Sequence, residues 1–267
     1  MKNKINGFTL LEMVVSIAIF GIIMVTLLNS FNQGNRVAAN TSNRSDMQQE
    51  ILNAQQLISG RLREAWYIYP PTSTTWNLGT TALTRNPVTG NNSWQTDTSL
   101  NPNQPLLALI LPPASATGPY RFFAYYPVLR STWLSGTTSD PVRDPGADTS
   151  NNNTWVLAEY RQNMPSSFNP SALPTTPPSM PTGATPNILS DYVAPTIVAS
   201  NFTTSSNTYT MFTYTTDSLG FVNGVTLNLA SSRLSLGSLL RLPNATDEYT
   251  ISIYPTNLGK LRSYSGG

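Results

Sequence analysis

The chain of 267 residues has no cysteine and no histidine. Without thiols there is no disulfide framework and no cysteine nucleophile. Without imidazole there is no Ser-His or Cys-His dyad and no usual zinc ligand set. Any catalysis would have to rest on carboxylates, Tyr, Ser/Thr or Arg, and no nucleophile–base pair can be named among them. Charge is also scarce. Asp, Glu, Lys and Arg make up 10% of the chain, against about 25% in ordinary soluble domains. Ser, Thr, Asn and Gln must therefore supply most of the polar surface. Neither sign of charge dominates: 15 basic residues face 13 acidic ones. Lys2 and Lys4 both precede Phe8, and without them 13 basic residues face 13 acidic. From residue 67 onward nine face nine. With no basic stripe, no nucleic-acid partner is expected.

What the chain does have is a long apolar run close to its start. Phe8–Leu28 is almost wholly apolar, interrupted by Glu12 and preceded by the basic leader Met1–Gly7. A carboxylate at the centre of a membrane helix costs roughly 2.5–3.5 kcal/mol on insertion scales. Three readings are open. A secretory signal needs a small-residue cleavage site after its apolar core, and "LLNSFNQG" supplies a poor one. A plain membrane anchor fits the length, since about 20 residues span a bilayer, but leaves Glu12 unexplained. The third takes "GFTLLE" as a unit, cut between Gly7 and Phe8, with Lys2 and Lys4 holding the leader on the cytoplasmic side. Glu12 is then the fifth residue of the mature chain.

The stretch "KINGFTLLEMVVSIAIFGII" resembles the class III leader and N-terminal helix of type IV prepilins and pseudopilins. The resemblance covers about the first 30 residues. It implies a leader at residues 1–7, cleavage after Gly7 by a prepilin peptidase, and N-methylation of Phe8. It further implies insertion in the bacterial inner membrane as a single-pass precursor, then assembly with other pilin subunits into a pilus or pseudopilus. In that assembly Glu12 of an incoming subunit meets the Phe8 amine of its neighbour.

The helix is expected to continue to residue 66, with residues 8–28 spanning the membrane. Met47, Ile51, Ala54, Ile58, Leu62 and Ala65 recur at helical spacing on one face, as expected for packing on the chain's own sheet. Ser45 and Gln48 form a capping-box pattern, so a restart there is expected after Gly34 and "NTSNRS". Pro70 and Pro71 end the helix.

From residue 67 the texture is β-like. Runs at 106–111, 120–129, 154–163, 209–217, 220–230 and 248–255 are rich in aromatic and branched residues. The last three alternate, with an irregularity at Asn223–Gly224. No helical crossovers separate them, which argues against a parallel α/β sheet. The expected fold class is α+β: a long N-terminal helix packed on a mainly antiparallel β domain over 67–267. Residues 164–195 are Pro-rich and read as a long extended surface loop.

"QQLISGRLREAWYIYP", "ILSDYV" and "FTYTTDSLGFVNGVTLNLA" are similar to PilW-type minor pilins and J-type minor pseudopilins. The resemblance implies a structural subunit, a minor one, rather than an enzyme. A secretion or DNA-uptake pseudopilin and a major or adhesive pilin with a ligand-binding head remain as rivals. Asp140, Asp144 and Asp148 offer oxygen ligands to calcium, but their spacing is not that of an EF-hand and Pro141 and Pro145 indicate turns. Asp247 and Glu248 are adjacent, which points them to opposite faces of a strand; they read as surface charges. Trp66, Trp76, Trp94, Trp133 and Trp155 read as core or interface packing. No metal and no cofactor is expected.

Overall fold

The computed structural model describes residues 9–96, 105–115, 117–196 and 208–260. By its contacts the chain divides into two units, Met1–Ser45 and Asp46–Gly267.

One helix, α1 (Leu10–Glu64), runs through residues of both units. It starts at Leu10, directly after Thr9, and does not restart at Ser45. The Ser45–Gln48 pattern lies inside a helix whose backbone donors already have their i−4 carbonyls, so no orphan N–H remains for a cap to satisfy. Gly34 and the polar "NTSNRS" stay helical, and no proline intervenes before Pro70.

In the first unit the apolar side chains of α1 are exposed on every face, from Met24 at 47% to Leu10 at 85%. A helix apolar all round has no wet side. Among the described residues α1 is the one helix long and apolar enough to cross a membrane.

In the second unit, Met47, Ile51, Ala54, Ile58, Leu62 and Ala65 are all buried, as their spacing predicts. Among the described residues twelve strands follow. β1 (Tyr67–Ile68), β4 (Leu107–Leu111), β5 (Arg121–Leu129), β6 (Trp155–Asn163), β7 (Asn187–Val193), β10 (Ser231–Ser235) and β11 (Ser238–Leu242) form one antiparallel sheet in the order β1-β4-β5-β6-β7-β10-β11. β8 (Phe212–Thr216), β9 (Val222–Leu229) and β12 (Tyr249–Ile253) form a second, ordered β12-β9-β8. β2 (Trp76–Asn77) and β3 (Ser93–Trp94) pair separately. A short helix, α2 (Arg130–Thr137), follows β5 directly.

Two cores explain the sequence texture. One joins Ile51, Ile58 and Leu62 of α1 to Leu109, Phe123 and Leu157 of the large sheet and Leu227 and Ile253 of the small one. The other lies on the opposite face of the large sheet. There Ala108, Phe122, Tyr126 and Val156 meet Trp66, Trp94 and Trp133. β4 and β5 are thus covered on both sides, which is why their sequences are continuously apolar; a strand with one wet face alternates. Pro127 lies on β5 past the end of its pairing with β4, where a missing N–H breaks no ladder bond on that side.

The expected Pro-rich surface loop at 164–195 is corrected twice. Its last part is β7, which pairs with β6. Its first part lies on the second core: Met164 and Met180 are buried, and Phe168 packs edge-on against Tyr120. The irregularity expected at Asn223–Gly224 is a bulge, with Thr215 opposite Gly224 and Thr216 opposite Val222. Any Cβ at Gly224 would stand 2.4 Å from Thr215 Oγ1. The hairpin β10–β11 turns through Leu236 and Gly237, both at positive φ, as a two-residue I′ loop requires.

Candidate assembly site at the start of α1

Gly7 and Phe8, the expected cleavage and methylation positions, lie outside the described residues. The site begins at Thr9. The Thr9 carbonyl accepts the first helical bond, from Met13 N–H at 3.2 Å. The Glu12 N–H donates to Thr9 Oγ1 at 3.3 Å, while Thr9 N–H and Oγ1–H donate to Glu12 Oε2 at 2.9 and 3.0 Å. This is a capping box: helix donors that have no intrahelical partner are satisfied reciprocally by two side chains three residues apart. It stands in the "GFTLLE" stretch itself; sequence reasoning passed over it, although the Thr-x-x-Glu spacing could have signalled it. The carboxylate also lies where the helix dipole favours negative charge.

Both Thr9 bonds end on Oε2. Glu12 Oε1 has no hydrogen bond among the described residues. Beyond this turn, Leu10, Leu11, Ile17 and Phe20 are exposed. The arrangement can do two things at once. It offers a non-directional apolar surface on all sides, and one carboxylate oxygen positioned at the helix start to accept a charged donor.

The other sequence candidates form no second site of this kind. Asp140 pairs with Arg143, and Asp144 Oδ1 accepts Gly146 N–H at 2.8 Å. Asp148 Oδ2 accepts from Asn151 and Tyr192 and lies 3.6 Å from Arg233. The three carboxylates thus serve different partners, and no metal-binding group of acids occurs among the described residues. Glu248 is no free surface charge: it pairs at 3.0 Å with Arg241, itself buried. Trp66, Trp94, Trp133 and Trp155 are core residues.

Sequence reasoning missed a buried ionic network in the second unit. Arg130, fully buried, holds both oxygens of Asp191 at 3.0 Å and donates to the Gly146 carbonyl at 2.8 Å. Asp191 N–H in turn donates to Glu50 of α1 at 2.6 Å. Burial pushes the Glu50 carboxyl up, with the Asp191 N–H bond opposing the shift. A buried arginine counter-charged by a residue 61 positions away leaves no local signal in a sequence.

No curated protein and no solved structure matches the chain. Residues 2–28 match the family model for the prokaryotic N-terminal methylation motif, a range that takes in Lys2, Lys4, Thr9, Glu12 and the exposed apolar run. The chain therefore carries at its start a motif typical of type IV pilin and pseudopilin precursors, and one that indicates a structural subunit rather than an enzyme.

Proposed function

We propose that the protein is a structural subunit of a type IV pilus-like fibre. It enters the inner membrane through the apolar part of α1, is cut between Gly7 and Phe8 by a prepilin peptidase, is methylated on the Phe8 amine, and assembles through α1. The observation that carries this reading is the capped helix start within the matched motif: an all-round apolar helix with a single carboxylate, held by Thr9 and left with one free oxygen.

Cleavage after Gly7 creates an ammonium at Phe8. In a fibre core of packed helices, Glu12 Oε1 accepts it from the neighbouring subunit. An unpaired charge there costs several kcal/mol, so the pair sets register while the surrounding apolar side chains supply packing. A minor subunit is favoured over a shaft repeat, because the second unit carries extra covering segments, β2–β3, α2 and the Pro-rich 164–186 stretch, that add bulk to a head.

The test compares cleaved subunit in membranes with subunit in sheared fibres. Glu12→Leu is expected to insert and be cleaved normally but to fall sharply in the fibre fraction, and the wild-type subunit to be far scarcer there than the shaft pilin. An unchanged ratio for Glu12→Leu rejects the pairing role, and a subunit that dominates the fibre rejects the minor one.

A further inference from the structure

A cleft of about 440 Å³ opens in the second unit, lined by Arg61, Arg121, Phe123, Arg161, Gln162 and Asn163. The β5–β6 register sets Phe123 opposite Arg161 and Arg121 opposite Asn163. With a side-chain period of two, these four project from one face of the sheet. Arg61 reaches the same face from the last turn of α1, its guanidinium 4.1 Å from the centre of the Phe123 ring.

Three guanidinium groups therefore converge, and they are poorly compensated. The one ion pair they make among the described residues is Arg61 with Glu159, at 4.0 Å. That carboxylate also accepts the Tyr125 hydroxyl. Arg121 donates only to the Pro112 carbonyl, at 3.4 Å, and its Nε, shut off from solvent, has no partner. Arg161 is exposed, and its side chain makes no hydrogen bond or ion pair among the described residues. Like charges gathered on a partly desolvated floor repel one another unless an anion joins them. All three cations are arginines, whose planar forks suit a tetrahedral or planar oxyanion.

We propose that this cleft binds a phosphomonoester group. Three arginines less one carboxylate leave two positive charges. That balances a phosphomonoester above its second pKa of about 6 and exceeds what a single carboxylate supplies. Phe123, buried beneath the Arg61 guanidinium, forms the floor, and the Asn163 amide offers a donor and an acceptor to the rest of the ligand. A nucleic-acid backbone fits less well: a phosphodiester carries one charge per phosphate and is held along a basic track, whereas nine basic residues face nine acidic ones from residue 67 onward. The inference does not depend on the fibre reading, since the cleft lies wholly within residues 61–163.

The experiment is calorimetric titration of the full chain in nonionic detergent and phosphate-free buffer, with phenyl phosphate, inorganic phosphate and an oligonucleotide lacking terminal phosphates. Phenyl phosphate should bind saturably at one site at pH 7.5 and more weakly at pH 5, where it is a monoanion. Arg161→Gln, exposed and so without consequence for folding, should weaken binding about tenfold, as loss of one charge-assisted bond of about 1.4 kcal/mol does. Arg121→Gln should do the same. Equal binding of the two phosphates would place the specificity in the anion, and a preference for phenyl phosphate would extend it to the attached group; binding of inorganic phosphate without phenyl phosphate overturns the proposal. No saturable binding of either at millimolar concentration overturns the proposal, as does equal binding by Arg161→Gln or a preference for the oligonucleotide.

Discussion

Thr9 and Glu12 hold one another at the first turn of α1, with Thr9 N–H and Oγ1–H both on Glu12 Oε2 and Glu12 N–H on Thr9 Oγ1. Glu12 thus has a role in the isolated subunit before any neighbour arrives. The cap fixes the rotamer of the carboxylate, so under the proposed assembly little further ordering would be needed for it to accept a second chain's amine. Thr9→Val keeps the shape and removes the hydroxyl. It is expected to cost about 1 kcal/mol of helix-start stability and to lower fibre incorporation several-fold while cleavage proceeds. Glu12→Asp, one methylene shorter, should be intermediate between wild type and Glu12→Leu. The amount of cleaved subunit in sheared fibres, normalised to the membrane pool, checks both variants; equal incorporation of Thr9→Val and wild type would show that preorganisation by Thr9 is irrelevant.

The two parts of α1, one in each unit, should respond differently to truncation. Ile58 is fully buried among sheet side chains, so Ile58→Ala is expected to destabilise the second unit by about 2–5 kcal/mol. Ile17, 67% exposed, makes no such core contact, and Ile17→Ala should leave the melting temperature of that unit unchanged. Thermal melts of both variants in detergent, followed by near-ultraviolet circular dichroism, decide it.

Much of this was legible in the residues, and what was not has identifiable causes. The 47–65 stripe could be read because helical period and burial coincide there. β4, β5 and β6 could be read as strands from composition, but not that both their faces are covered; the covering tryptophans Trp66, Trp94 and Trp133 come from three separate segments. β7 was hidden by the prolines before it. The β10–β11 hairpin was hidden because Leu236, at positive φ, is not a residue that announces a turn. At the candidate site, Glu12 stood out as a misplaced charge, whereas Thr9, its partner, looked ordinary. The arginine cleft needs the β5–β6 register to bring Arg121 and Arg161 together, and register is not written in any one segment.

Glu50 gives the second unit a pH dependence of known sign. Its carboxyl is raised above the ordinary value of 4.5 by burial, with Asp191 and Asp46 adding repulsion and Arg233 and the Asp191 N–H opposing it. The folded state therefore holds this proton more tightly than the unfolded chain. Protons are taken up on folding, and the contribution of Glu50 to stability rises as pH falls through the range above 4.5 toward it. Glu50→Gln keeps an acceptor for the Asp191 N–H and removes the titration. The variant should gain stability relative to wild type at pH 8, and the gap should close by pH 5. A gap that widens on acidification would contradict the assignment.

Gly224 is required by close approach rather than by φ. A Cβ there would meet Thr215 Oγ1 at 2.4 Å and the Tyr254 ring at 2.9 Å. Gly224→Ala is expected to cost about 1–3 kcal/mol through overpacking. Adding Thr215→Ala, which removes the nearer obstacle, should recover part of it. A double variant no more stable than Gly224→Ala would place the strain elsewhere.

The central claim is that this chain is a precursor whose first seven residues are removed so that Phe8 can enter a fibre. The most direct measurement is the intact mass and N-terminal peptide of the protein recovered from sheared, purified fibres. The account predicts a chain that begins at Phe8 and carries one methyl group on its amine. A fibre-borne chain that keeps Met1, or one cut beyond Leu28, would contradict it.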